Sequence, residues 1–553
     1  MKHCSKILTA IFALSLLGSA CHRNKPVEPS ELFAPYISAY TGESVSSDAS
    51  IRIAFTQEMG AVEKNTPVEE QLFSFSPSLK GTTYWEDGHT LVFRPDEGEL
   101  RQGECYRGVF RLDKLVQVDR KLKRFRFSFR VQQRDFMLQL DPIEVTSAEP
   151  DKATIRGTIL FNEPVTREKA EKMINVKGTN IPVGFQNEEK SDRFRFSISG
   201  IKKTREEQKI TVTANGKPIG VKGKQTEVAV IPAILRFDYI ASQPITEPGN
   251  GIRLLFSDPI SSKQEIKGLI EVDNLSSYTV QVRENAAEIY YEPYADLDKL
   301  QIRIDKSLQS VRGRKLGREV QLESEVQPLR PQVALISEGV ILPDADNLKL
   351  NFKAVSLNAV DLEVIRIYRS NILSFLQTNK LDEYGGIRRA GRLVCKKKLV
   401  LSPQPPTENL WHNYSVDLKK MFRQEEGGMY RVRLTFKREY ATTPFYRSFA
   451  QRNDSPDMVP LKTVSAEDES KWDKPDYGYG YYEEWEYHPE YNWRDRNNPY
   501  TESYYWDNSG VATNLLASNL GMIVKGNESG TYWVTVNDIL TTDAVRGAEI
   551  TLY

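Results

Sequence analysis

The strongest constraint on this chain is a pair of short alternating segments that recurs three times, at intervals of roughly 100 residues, a common domain size. The first member reads SIRIAFTQEM at Ser50–Met59, ATIRGTILFNEPV at Ala153–Val165 and GIRLLFSDPI at Gly251–Ile260. Each copy alternates apolar and polar residues up to a Phe (Phe55, Phe161, Phe256) and then enters a short acidic turn. The second member follows as Thr90–Pro95, Arg193–Ile198 and Glu288–Pro293, and a third segment closes each copy at Tyr106–Leu112, Lys209–Val212 and Gln301–Ile304. Period-two alternation puts one face of each segment into a core. Pro95 and Pro293 end their strands, because proline cannot donate to a ladder. The pattern predicts an all-β chain of tandem antiparallel β-sandwich domains, with the Phe, Tyr and Trp residues of the repeats in their cores.

Composition limits what such sandwiches can do. A chain of 553 residues is too long for one domain. Lys plus Arg number 75 and Asp plus Glu number 75, so no global field draws in nucleic acid, and no nucleic-acid partner is expected. The five His show no metal-ligand spacing, and no nucleophile elbow, HExxH or P-loop is present. Neither catalytic nor metal residues are assigned, no cofactor is expected, and the chain is read as not an enzyme. Cys105 and Cys395 lie far apart and are expected to be buried free thiols.

The amino terminus is an export signal. Residues 1–20 carry Lys2 and Lys6 ahead of an apolar core, Ile7–Leu17, too short to span a membrane. Ala20 suits an ordinary cleavage site, but Leu16-Leu17-Gly18-Ser19-Ala20-Cys21 also resembles a lipobox, with Gly18 where a large aliphatic residue is usual, in which the Cys21 thiol is acylated. That makes Cys21 the expected lipidation site. The expected location is the cell envelope, lipid-anchored to a bacterial membrane and facing the periplasm or the surface. Residues 21–34 are a polar tether.

The rest divides by pattern. Sandwich repeats are expected at 35–133, 134–232 and 233–329; the first resembles bacterial Ig-like domains through Tyr84-Trp85 and Leu91-x-Phe93-x-Pro95. A different unit, 330–440, has strict alternation at Asn347–Val355 and Val360–Tyr368, a helical turn or two at Ser370–Leu376, and strand candidates at Leu399–Leu401, Tyr414–Leu418 and Gly427–Phe436. Its basic runs, Arg388-Arg389 and Lys396-Lys397-Lys398, read as solvated loop faces. A connecting segment, 441–513, interleaves aromatic and acidic residues. Its rings are expected either to plug a groove between sandwiches or to form a ligand surface for glycan or a partner protein. Trp472, Tyr481, Trp485, Trp493, Tyr504 and Trp506 are the candidates for that surface. A calcium site built from its carboxylates is a third reading.

The last stretch, 514–553, carries strand candidates at Leu520–Val524, Thr531–Val536 and Val545–Tyr553; in the last, Ala548, Ile550 and Leu552 share one face. About three strands cannot enclose a core, so the sequence is expected to break off within a further sandwich. The pattern SNLGMIVK…TYWVTVNDILTTDAVRGAEITLY resembles the start of a macroglobulin-like domain in bacterial α2-macroglobulin-like proteins. That resemblance implies Ig-like repeats followed by macroglobulin-like domains, and an endopeptidase inhibitor that traps its target. Target proteases would be engaged through regions beyond residue 553. The thioester motif C-x-E-Q of that family is absent after Cys21, Cys105 and Cys395. The rival reading is a non-enzymatic adhesive or structural lipoprotein.

Overall fold

The computed structural model describes residues 27–551 except 60–64, 187, 246–250, 292–298, 327–328, 337–340, 343–348, 381–382, 402–409, 423–427, 443, 448–474, 477–487, 489, 509 and 527–529. The fold is all-β: tandem sandwiches whose strands pair antiparallel, apart from two short parallel pairings at 43–45 and 341–342.

The first sandwich contains β1 (Ile37–Tyr40), β2 (Ile51–Phe55), β3 (Thr90–Pro95), β4 (Cys105–Arg111) and β5 (Arg124–Val131). The repeated members, β2 and β3, are neighbours in one sheet, with Ile51 opposite Phe93. In the second sandwich β6 (Lys152–Thr166) pairs with β7 (Lys190–Lys202), and β8 (Gln208–Asn215) lies in the facing sheet. In the third, β9 (Gly251–Phe256) pairs with β10 (Ala286–Tyr291), and β11 (Lys299–Ile304) faces them. All three use the same order in the first sheet, with the two members central and one further strand on either side. The sequence repeat is therefore a repeat of topology.

Each sandwich closes its own core. That of the first is aromatic: Phe110, Phe125 and Phe127 are wholly buried, and Phe129 stacks on Tyr106 at 5.5 Å. The second and third cores are mainly aliphatic, around Ile155, Ile198 and Ile210, and around Leu254, Ile289 and Ile304. Phe55, Phe161 and Phe256 are all buried. Gly108 faces the Phe127 ring and Gly157 the Phe196 ring so closely that a Cβ would strike the aromatic carbons; in both strands the glycine makes room for the neighbour's ring. β6 runs past the acidic turn expected after Phe161. Its register with β7 shifts between Leu160 and Val165, and Pro164 sits inside that irregularity, where no ladder donor is required.

The fourth sandwich comprises β12 (Lys349–Val355), β13 (Ala359–Ile367), α1 (Arg369–Thr378), α2 (Ile387–Ala390), β14 (Gly391–Val400), β15 (His412–Asp417) and β16 (Met429–Thr435). The basic runs are not loop faces. Lys396–Lys398 lie within β14, registered against Glu363, Leu362 and Asp361 of β13. Arg389 is in α2 and only 6% exposed. After the connecting segment come α3 (Glu502–Asp507) and β17 (Gly510–Ala517). β17 pairs along its whole length with β16, so it belongs to the five-stranded sheet of the fourth sandwich. The boundary expected at 513/514 falls inside this strand. Asn514 is wholly buried there, and its amide accepts from Arg431 at 3.2 Å.

Beyond Asn519, β18 (Leu520–Gly526) and β19 (Tyr532–Asp538) form a two-stranded hairpin. Its apolar side chains are open: Met522 is 62% exposed and Tyr532 66%. The alternating strand expected at Val545–Tyr553 is not formed over its described residues, 545–551, and Ile550 is exposed. Alternation alone does not make a strand; its backbone groups need a ladder partner. Among the cysteines, Cys395 is buried in the fourth core, and Cys105, expected buried, is half-buried; both are free.

Candidate functional site: an aromatic cleft beside the first two sandwiches

Residues 490–508, with His488, are held at two ends. α3 plugs into the fourth sandwich: Tyr504 and Tyr505 are about as buried as its other core residues and meet edge to face at 5.2 Å. The Tyr504 hydroxyl donates to the Pro331 carbonyl at 2.8 Å, and that of Tyr505 to the Pro499 carbonyl at 2.8 Å. Burial pushes the Tyr504 phenol up to about 12 and raises Tyr505 as well. Tyr504 is thus a core anchor. Its hydroxyl needs a partner once desolvated, and the carbonyl supplies it. It cannot present a ligand surface as expected.

The opposite side of the segment reaches the first two sandwiches. Arg494 makes a two-pronged ion pair with Asp135, at 2.8 and 2.7 Å, on the linker between them. Those hydrogen bonds raise the Arg494 pKa above its usual value. Arg496 lies over the Trp493 ring at 3.8 Å. His488 stacks flat on Trp506 at 4.2 Å. Tyr491 donates to Asp507 at 2.6 Å, and the Asn492 backbone donates to Ser503 Oγ at 2.8 Å, closing the segment on itself.

A cleft of about 520 Å³ remains between this segment and the sandwiches. Its walls include Trp493, Trp506, His488 and Tyr491 on one side, and Glu43, Arg130, Gln132, Asn162 and Lys222 on the other. The volume lies in the range of ordinary ligand sites. Gln132 Oε1 is buried on this wall without a hydrogen-bond partner among the described residues. Two of the expected surface residues, Trp493 and Trp506, are therefore brought together, half-buried. Trp472, Tyr481, Trp485 and Cys21 lie outside the described residues. Stacking faces, amides and guanidinium groups suit the cleft to recognition.

A second docking point was not legible. Asp476 forms a parallel bridge with Ala39 on the free edge of β1: Tyr40 donates its N–H to the Asp476 carbonyl at 2.8 Å, and Asp476 donates to Ser38 at 2.9 Å. Beside it, Arg389 of α2 donates to the Ile37 and Ala34 carbonyls, at 3.3 and 3.4 Å. Burial pulls Arg389 down to about 10, and the Asp476 carboxylate opposes that shift. The fourth sandwich thus folds back onto the first. The only sequence signal was Gly385-Gly386: Gly386 takes a left-handed backbone, φ 74°, at the start of α2.

No family model and no curated protein matches this sequence. Solved structures show distant likeness. A fragment of native α2-macroglobulin from Escherichia coli spanning domains MG0-NIE-MG1 is 15% identical, with a TM-score of 0.28, over 57% of this chain and 81% of that one. The native conformation of the whole E. coli α2-macroglobulin is 18% identical, with a TM-score of 0.23, over 36% of this chain and 13% of that one. Domains 4–9 of the surface layer protein SbsC are 10% identical, with a TM-score of 0.22, over 72% and 64%. This chain thus spans 13% of the whole macroglobulin's length.

Proposed function

We propose that this chain is the amino-terminal scaffold of an envelope-anchored, α2-macroglobulin-like endopeptidase inhibitor, protecting a bacterial cell by trapping proteases. One observation carries the reading. Three sandwiches of one topology are followed by a fourth of different design, whose last strand, β17, runs directly into the Ser518-Asn519-Leu520-Gly521 hairpin that bears the family resemblance. In this reading the chain supplies anchoring, spacing and a braced platform, and target proteases meet regions beyond residue 553. The test uses the full-length gene product with a panel of endopeptidases, with and without methylamine. One discrete early cut with compaction supports the trap, and a methylamine-sensitive covalent adduct adds a thioester. Scattered degradation without a shape change overturns it. Anchoring is tested separately: Cys21→Ala abolishes labelling by radioactive palmitate and releases the protein from membranes, and continued labelling refutes lipidation at Cys21.

A second reading is favoured by the cleft itself. Trp493, Trp506 and Gln132 Oε1, unpartnered among the described residues, suit a non-enzymatic adhesive lipoprotein that binds glycan or a partner protein there. A glycan array probed with wild type and Trp506→Ala tests it; equal profiles with no hits refute the glycan form.

A further inference from the structure

We propose that the open margin of the fourth sandwich is a docking groove for an extended peptide carrying an acidic residue among apolar ones. β14 is the last strand of the five-stranded sheet and β15 the last of the three-stranded sheet, so each has one edge without a ladder partner among the described residues. Both margins border one groove of about 440 Å³, lined by Phe352, Lys397, Leu399, Leu401, Tyr414 and Val416 among others. Its floor is apolar: Phe352 is wholly buried, Leu401 and Val416 nearly so, and the Tyr414 ring stacks on Phe352 at 5.4 Å. Strand edges beside such a floor provide what strand addition needs, backbone groups for affinity and pockets for alternate side chains.

Charge selects the occupant. Lys396 faces outward and pairs with Glu363 at 2.8 Å, while Lys398 lies over the Tyr440 ring at 4.9 Å. Lys397 stands on the other face of β14. It is registered against Leu362, a wholly buried core residue, and so points to the sandwich interior at its open side. It lines the groove and makes no ion pair or hydrogen bond among the described residues, and the Tyr414 hydroxyl likewise has no hydrogen bond there. A half-buried lysine with no anion among the described residues, next to a hydroxyl and an apolar floor, is complementary to a carboxylate carried on an extended strand; the carboxylate in the lining, Asp417, is taken by Lys420 at 3.4 Å. An inward lysine on an edge strand can also serve only to discourage self-association. The two roles separate when the charge is reversed.

The probe is a fluorescein-labelled, end-capped ten-residue peptide alternating Val and Thr with one central Glu, titrated against the full chain by anisotropy. Saturable binding is expected. It weakens at least about tenfold when the central residue is Lys, and is lost when alternate backbone nitrogens are methylated. Lys397→Glu reverses the preference between the two peptides. Lys396→Glu, on the outer face, leaves it unchanged. Lys397→Gln, a milder change, weakens the Glu peptide alone and serves if Lys397→Glu fails to fold. No saturable binding to wild type, or a preference indifferent to residue 397, overturns the proposal. So does self-association of the Lys397 variants in sedimentation without peptide binding, which would make Lys397 an edge guard only.

Discussion

The junction between the second and third sandwiches and the junction between the first and second use the same position of the repeat in different ways. Two residues after the repeated Phe stands an acid followed by proline, Glu163-Pro164 in one copy and Asp258-Pro259 in the next. Asp258 is wholly buried at the later junction. It meets the equally buried Lys203 of the preceding sandwich, and Arg312 and Arg314 lie 3.6 Å away. Lys203 also donates to the Ser257 carbonyl at 2.8 Å, and Arg312 reaches back to Asp151. Asn285 adds a two-way link, accepting from Val145 at 3.2 Å and donating to Ile143 at 2.9 Å. At the earlier junction Glu163, 2% exposed, has among the described residues one cation, Arg134 at 3.1 Å, and no partner for its Oε1. In the first repeat the corresponding Gln57 is exposed.

The difference shows how an acid at one position of the repeat becomes either a lock or a weak point, according to how many cations surround it. A buried carboxylate is costly unless its charge and lone pairs are met. Asp258 is met by three cations, and among the described residues only its Oδ1 is hydrogen-bonded, its Oδ2 facing Arg312 and Arg314 at ion-pair distance. Glu163, likewise hydrogen-bonded on one oxygen, is met by one cation among the described residues, and burial, opposed by Arg134, raises its carboxyl above the usual range.

Breaking the lock gives the largest expected effect. Asp258→Ala leaves Lys203 buried without its anion and costs about 3–5 kcal/mol, read by calorimetry of the full chain with hydrogen exchange to localise the loss; an unchanged profile would remove the lock. Glu163→Ala costs less, about 1–3 kcal/mol, because Arg134 can turn to solvent; parity with Asp258→Ala would erase the contrast. Replacing both members of the later pair, Lys203→Met with Asp258→Leu, costs less than Asp258→Ala alone, since apolar isosteres need no charge compensation. A double variant as damaged as the single one would mean that Asp258 matters through Arg312 and Arg314 instead.

The smallest effect is on pH dependence. Glu163 has a folded pKa above its unfolded value, so the folded state holds the proton more tightly. Its contribution to stability is full below the unfolded pKa and is lost as pH rises through the folded one. Wild type should therefore lose stability with rising pH just above the ordinary glutamate range, with a slope of at most about 1.4 kcal/mol per pH unit. Glu163→Gln should flatten that segment of the profile, and identical melting curves for the two proteins across it would refute the assignment.

Much of the fold was legible because its signals are local. Alternation ending in Phe55, Phe161 and Phe256 marked strands that do pair with the second members downstream. The site was legible only in part. Trp493 and Trp506 line the cleft, whereas Tyr504, from the same run of rings, is core. Nothing local distinguishes an aromatic residue that packs inward from one that lines a surface, since both contribute the same apolar area and differ only in what lies opposite. The lysine run failed as a loop for a related reason: its place in β14 comes from pairing with β13, a long-range partner.

By itself, the sequence determined the period of the sandwiches and the inward faces of their strands, because backbone alternation acts between near neighbours. Only the tertiary structure decided that β17 completes the fourth sandwich, that Arg389 and Asp476 brace it against the first, and that Lys397 stands at an open edge without an anion among the described residues. Those outcomes depend on which groups meet across hundreds of residues. Burial sets the cost of each charge, and whether a partner arrives to meet it is fixed by packing.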